Sequence, residues 1–146
     1  MKIKSTVALT FCIGILGGIS AANAVDKKME KSEKVTQAQG FGELTIEELN
    51  KHIAAGDVTI LDCRTEKMYQ NGHIPGAIYF RAAKEKGIES VLPESKDALI
   101  VSYCGGPGCG WWRGGANTIK KLGYTNVKHL PAGIRGWKSS NQTIEK

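Results

Sequence analysis

No run of lysine or arginine interleaved with aromatic rings occurs in the 146 residues; the positive charges are scattered along the chain. That excludes a nucleic-acid footprint, which needs clustered cations. Cysteine is scarce, with Cys12, Cys63, Cys104 and Cys109 making up the full set. They show no metal-ligand spacing with His52, His73 or His129, so no metal site is expected. There is no internal repeat. The length suits one compact domain with a real core and is too short for two ordinary ones.

The first residues form a segment of their own. Lys2 and Lys4 make a basic start, residues 5–20 are mostly apolar, and Ala22-Asn23-Ala24 places small residues where a signal peptidase reads. The apolar run is short and a lysine-rich stretch follows at once. This reads as a secretory signal cleaved after Ala24, with no stable membrane insertion afterwards, and the protein is expected to be exported, periplasmic or secreted. Cys12 has Leu9 three residues before it, but Phe11 is bulky where a lipoprotein signal wants a small residue. It is read as discarded with the signal. Cleavage takes away two lysines and no acid, lowering the formal charge from +6 to +4. That modest field suits a small anionic substrate. Residues 25–40, rich in Lys, Glu, Ser and Gln, are read as a flexible leader. The domain is assigned to residues 41–146.

Within the domain, short apolar strands alternate with helical patterns. Thr45 and Glu48 form a capping box ahead of Ile46, Leu49 and Ile53, and Gly56 closes that helix. Strands are expected over 58–61, 77–80, 98–103 and 127–130. Helices are expected over 65–70 and about 111–122, with a turn or helix over 134–137. This alternation predicts an α/β fold, a doubly wound central parallel sheet with helices on both faces. Ligands bind such sheets beyond the carboxyl ends of the strands. Asp62 and Cys104 each stand at such an end.

Cys104 follows the most apolar strand and precedes Gly105-Gly106-Pro107-Gly108-Cys109-Gly110 and then a helix. A thiolate at a helix N-terminus is stabilised by the dipole and by unpaired amides, so a lowered Cys104 pKa is expected. Gly105, Gly106, Gly108 and Gly110 would bare amides as an anion-binding nest. An odd number of cysteines after cleavage leaves at least one unpaired within the chain, in an oxidising compartment.

The residues then resemble a known family, the rhodanese domain. Leu61-Asp62-Cys63-Arg64 resembles its Asp-x-Arg strand end. Glu66, Tyr69 and Gly72-His73-Ile74-Pro75-Gly76-Ala77 resemble its second signature. Tyr103-Cys104 resembles the strand carrying its reactive cysteine. Gly123-Tyr124 with Asn126-Val127, and Leu130-Pro131-Ala132-Gly133-Ile134 followed by Trp137, resemble its closing segments, with Ala132 in place of a glycine. The matches run in order over about residues 41–140. The resemblance implies a thiosulfate sulfurtransferase: Cys104 accepts sulfane sulfur from a small anionic donor as a persulfide and passes it to cyanide or a thiol acceptor. It implies no cofactor.

The loop departs from the usual pattern. Gly105 stands where a basic residue often follows the nucleophile, and the longer Gly-Pro-Gly-Cys loop resembles a subgroup with room for a larger acceptor. Arg113 either supplies the missing positive charge or is a solvent-facing helix residue. Related phosphatases and arsenate reductases need Cys-x5-Arg, whose arginine grips an oxyanion with two parallel hydrogen bonds. Gly110 occupies that place, which excludes them. Asp62 and Arg64 are read as supports for the loops around the site, Cys63 as a core residue and His73 as ordering its turn. One of Trp111 and Trp112 lines the pocket mouth, or both cover the core. Cys109 either exchanges with Cys104 as a thiol–disulfide pair or packs at the loop's end. Beside the sulfurtransferase reading stand two others: a redox protein using Cys104 and Cys109, and a persulfide carrier or binding module without turnover.

Overall fold

The computed structural model describes residues 40–146. The expected signal segment, 1–24, and all but the last residue of the expected leader, 25–40, lie outside the described residues. The elements are β1 (Gly42–Glu43), α1 (Ile46–Ala55), β2 (Val58–Asp62), α2 (Glu66–Gln70), β3 (Ile78–Tyr79), α3 (Phe80–Glu85), a 3₁₀ turn (Ile88–Val91), β4 (Leu99–Tyr103), α4 (Trp112–Lys121), β5 (Val127–His129) and α5 (Gly133–Ser139). All strand pairs are parallel, in the order β1-β5-β4-β2-β3.

The local chemistry sets the helix ends. The Glu48 carboxylate accepts from the Thr45 amide at 2.7 Å, and the Thr45 hydroxyl accepts from the Glu48 amide at 3.2 Å. This reciprocal cap satisfies two amides that α1 would otherwise leave open. Gly56 ends the helix at φ 69°, a left-handed position that suits glycine. Thr65 caps α2 through its hydroxyl.

β4 has all five positions buried, as a central strand covered on both faces should. Its side chains alternate across the sheet. Ile100 and Cys104 join Leu61, Cys63, Phe80, Trp112, Ala116 and Ile119 on the face covered by α3 and α4. Leu99, Val101 and Tyr103 join Ile60, Leu49, Ile134 and Trp137 on the face covered by α1 and α5. The helices pack closely: a Cβ on Gly115 of α4 would lie 2.5 Å from Cys63 Sγ and 2.8 Å from Ser102 Oγ.

Some boundaries differ from expectation. Strand β3 stops at Tyr79, because Phe80 opens α3 and buries its ring beneath it. The two-residue β1 was unforeseen; it pairs with Lys128 and His129 and places Phe41 and Glu43 near the carboxyl edge of the sheet. The chain leaves β2 toward β3 on one side and leaves β4 toward β5 on the other. The carboxyl ends of β2 and β4 therefore flank the switch point where such sheets form a crevice.

Candidate functional site

Cys104 is the first residue beyond β4 and is 1% exposed. The loop after it is shaped by its carbonyls. Cys104 O accepts from the Ile134 amide at 3.0 Å and Gly105 O from the Arg135 amide at 3.2 Å. The Arg135 side chain reaches Gly105 O at 3.2 Å and Pro107 O at 3.1 Å. With the carbonyls turned toward α5, loop amides are left to face the sulfurs. Two glycines make this approach possible. Gly106 sits at φ 139° and Gly133 at φ 54°, and a Cβ on Gly133 would lie 2.5 Å from the Gly106 nitrogen and 2.6 Å from Cys104 O.

The Cys104 thiol donates to the Cys109 carbonyl at 3.3 Å, and the two thiols interact directly. The amides of Trp112 and Gly106 lie against Cys104, and those of Trp111 and Gly105 against Cys109. Trp111, the cap of α4, brings no capping side chain, so the helix start offers its amides to the sulfurs instead. Of the loop glycines, Gly105 and Gly106 supply these amides. Gly108 provides a left-handed turn at φ 82°, and Gly110 O is taken by the Arg113 amide.

The electrostatics correct one expectation. The Cys104 thiol is held above its ordinary pKa, by burial first and by Cys109 second, and the helix-start amides do not overcome this. Cys109 is the thiol held below its ordinary value. Burial works against its charge, but the hydrogen bond from Cys104, the Trp111 and Gly105 amides and the Arg135 charge outweigh it. Of the pair, Cys109 is the thiol whose surroundings favour the charged form. Cys109 is also the more accessible of the two; all three described cysteines are unpaired thiols.

Cys109 opens onto a cavity of about 340 Å³, lined with it by Gly106, Trp112, Arg113, His129 and Glu43, among others. The Arg113 guanidinium lies over the Trp112 ring at 4.8 Å. Trp112 also stacks on His129, with ring centroids 3.8 Å apart. Sequence reasoning treated His129 as a scattered histidine. Its Nδ1 is buried without a hydrogen-bond partner among the described residues, and the nearest carboxylate, Glu43, is 4.0 Å away. Burial, helped by the Arg113 charge, pushes its pKa down to about 4, so the imidazole is neutral at pH 7. Trp112 thus lines the cavity and is buried. Trp111 is 47% exposed and borders a different depression, together with Arg81, Lys84 and Cys63.

Asp62 and Arg64 form a separate, closed network. Arg64 Nε donates to both Asp62 oxygens at 2.9 and 3.0 Å, and Nη2 also donates to Gly72 O at 2.9 Å. The Tyr103 hydroxyl donates to Asp62 at 2.6 Å and accepts from the Ile74 amide at 3.2 Å. This network holds the Gly72–Ile74 segment. His73 orders that turn through Nδ1 and Tyr69 O at 3.0 Å.

Residues 45–140, most of the described domain, match the rhodanese-like domain. The chain belongs to the rhodanese-like family. Over 103 residues it is 32% identical to the HTH-type transcriptional regulator Rv0324 of Mycobacterium tuberculosis, covering 70% of this chain and 44% of that protein. Over 101 residues it is 25% identical to the putative sulfur carrier protein YrkF of Bacillus subtilis, covering 68% and 52%. The chain thus spans about half the length of these curated relatives. A solved thiosulfate sulfurtransferase from Pseudomonas aeruginosa superposes at a TM-score of 0.60 and 25% identity, over 72% of this chain and 20% of that one. The rhodanese-like fold is therefore shared, with the parallel five-stranded sheet at its centre. Among the described residues, no helix is long and apolar enough to cross a membrane, and no group of His, Cys, Asp and Glu is placed to hold a metal ion.

Proposed function

We propose that this rhodanese-like domain is an exported sulfurtransferase with Cys104 as its sulfur carrier. The observation that carries the reading is a single cysteine at the carboxyl end of the central strand, lodged in a loop whose amides are turned onto its sulfur. The Cys104 thiolate attacks the outer sulfur of thiosulfate, the S–S bond breaks, and sulfite leaves with the bonding electrons. The acceptor, cyanide or a thiolate, then attacks the terminal sulfur of the persulfide and releases the Cys104 thiolate. Amides that favour a thiolate also favour a persulfide anion and the donor's oxyanion. The similarity to a thiosulfate sulfurtransferase and to a sulfur carrier protein supports sulfane sulfur as the cargo. Export rests on the basic, apolar and small-residue pattern of residues 1–24.

The contact between Cys104 and Cys109 favours a second reading, thiol–disulfide exchange. One measurement separates the two: the intact mass of the purified exported protein, before and after the reduced form meets thiosulfate. The proposal expects a chain beginning after Ala24 that gains one sulfur atom, and no gain in Cys104→Ser. No gain in the wild type, with a Cys104–Cys109 disulfide in the untreated protein, would establish the redox reading instead.

A further inference from the structure

The loop holds two thiols with unequal access. Cys104 is 1% exposed, its sulfur faces the Cys109 carbonyl, and it does not line the 340 Å³ cavity. Cys109 is half-buried and does line it. A small donor or cyanide can work down to a buried sulfur, but a thiol carried on a larger molecule cannot bring its sulfur in line with Cys104 without displacing the loop. The cavity beside Cys109 has room for such a molecule. Each sulfur also has its own pair of amides, Gly106 and Trp112 for Cys104, Gly105 and Trp111 for Cys109. A negative charge therefore has a prepared seat on either side of a transfer between them.

We infer that Cys109 is a relay thiol, which takes the sulfane sulfur from Cys104 and presents it in the cavity to thiol acceptors too large to reach Cys104. This deepens the sulfurtransferase reading and rests on it. The Cys109 thiolate attacks the terminal sulfur of the Cys104 persulfide. A new S–S bond forms at Cys109, the S–S bond at Cys104 breaks, and Cys104 leaves as a thiolate onto the Gly106 and Trp112 amides. The acceptor thiolate then attacks the terminal sulfur on Cys109, becomes a persulfide itself and restores the Cys109 thiolate. Sulfane sulfur moves without net oxidation or reduction, so no oxidant is required. The surroundings suit the first step, because the attacking thiol of the pair is the one held below its ordinary pKa, by the hydrogen bond from Cys104 and the Trp111 and Gly105 amides.

The test is a single-turnover experiment on the full mature protein. Reduced wild type is loaded with thiosulfate, quenched by alkylation at intervals, and the sulfane sulfur is located by peptide mass. It is then discharged with reduced glutathione or with cyanide. The relay expects persulfide on Cys104 first and on Cys109 later, none on Cys109 in Cys104→Ser, and a glutathione-to-cyanide rate ratio at least tenfold lower in both Cys109→Ser and Cys109→Ala. Sulfane sulfur found on Cys104 alone, or an unchanged rate ratio, would overturn the relay and leave the sulfurtransferase standing. Loading of Cys109 in Cys104→Ser at the wild-type rate would overturn the order of transfer. Release of sulfide with a Cys104–Cys109 disulfide would show attack on the inner sulfur and overturn the relay as well. No sulfane sulfur on either cysteine of the wild type would remove both readings together.

Discussion

At the carboxyl ends of β2 and β4 the domain buries two sets of ionisable groups and treats them in opposite ways. Beyond β2, Asp62 and Arg64 are paired through several hydrogen bonds, with Tyr103 and the backbone of Gly72 and Ile74 completing the set. Burial opposes the Arg64 charge, but Asp62 outweighs it and holds the guanidinium above its usual pKa. Burial and Asp62 together raise the Tyr103 phenol. Beyond β4, two thiols in contact are shifted in opposite directions, and a neighbouring imidazole keeps a buried nitrogen without a hydrogen-bond partner among the described residues. The first arrangement fixes one state. The second sets two touching thiols apart, one held above its ordinary pKa and one below, an arrangement in which perturbed groups point to a site. Burial alone therefore does not mark a site; groups in contact whose shifts run in opposite directions do.

The largest expected effect attacks the closed side. Asp62→Ala leaves the Arg64 guanidinium and the Tyr103 hydroxyl buried without their partner. Removing one member of a buried ion pair costs about 3–5 kcal/mol. Denaturant unfolding of the variant should show a loss of this size. A loss under about 1 kcal/mol would mean that water reaches Arg64 readily, and the contrast between the two strand ends would fail.

How much of this contrast the sequence disclosed depended on range. β4 and Cys104 were legible because five consecutive buried positions leave an unmistakable apolar run followed by glycines. The Thr45–Glu48 cap was legible because both partners lie within one helical turn. β1 was not: two residues, one of them glycine, carry no apolar alternation, and only β5 makes them a strand. Arg135 went unnoticed as well. Its hold on the loop joins residues 28 and 30 apart in sequence, and exists only because α5 returns beside Cys104. The direction of the Cys104 shift was misjudged for a related reason. A helix start can be seen in sequence, but the depth of burial and the nearness of a second thiol cannot.

A middle-sized effect sharpens the open side. Unfolded, His129 takes up a proton near pH 6.5; folded, it does so only near pH 4. Between these values the unfolded chain binds more protons, so stability falls as the pH drops from about 6.5 to 4 and levels off below that. The Arg113 charge adds to the penalty, while the Glu43 carboxylate at 4.0 Å offsets part of it. With that and solvent screening allowed for, the loss should be on the order of 2 kcal/mol. His129→Phe keeps an aromatic ring against Trp112 and cannot titrate. The wild-type stability curve minus the variant's should slope across this window; a flat difference would show that the imidazole is accommodated in either charge state.

The smallest effect compares thiols directly. Cys63 belongs to the closed style of burial although it lies on the same face of the sheet as Cys104. Its sulfur is 3.2 Å from Ser102 Oγ, Gly115 packs against it, and burial pushes its pKa up to about 12. A thiol in that setting is inert, because the thiolate is the reactive form. Iodoacetamide should therefore modify Cys109 first, Cys104 more slowly, and Cys63 only after denaturant is added. Cys63→Ala should cost about 1 kcal/mol, an ordinary loss for a point substitution, and should leave sulfur loading from thiosulfate at the wild-type rate. Ready labelling of Cys63 in the folded protein would place a third reactive thiol beside the site. Thiol reactivity would then not be confined to the loop beyond β4, where the amides of Gly105, Gly106, Trp111 and Trp112 lie against the sulfurs.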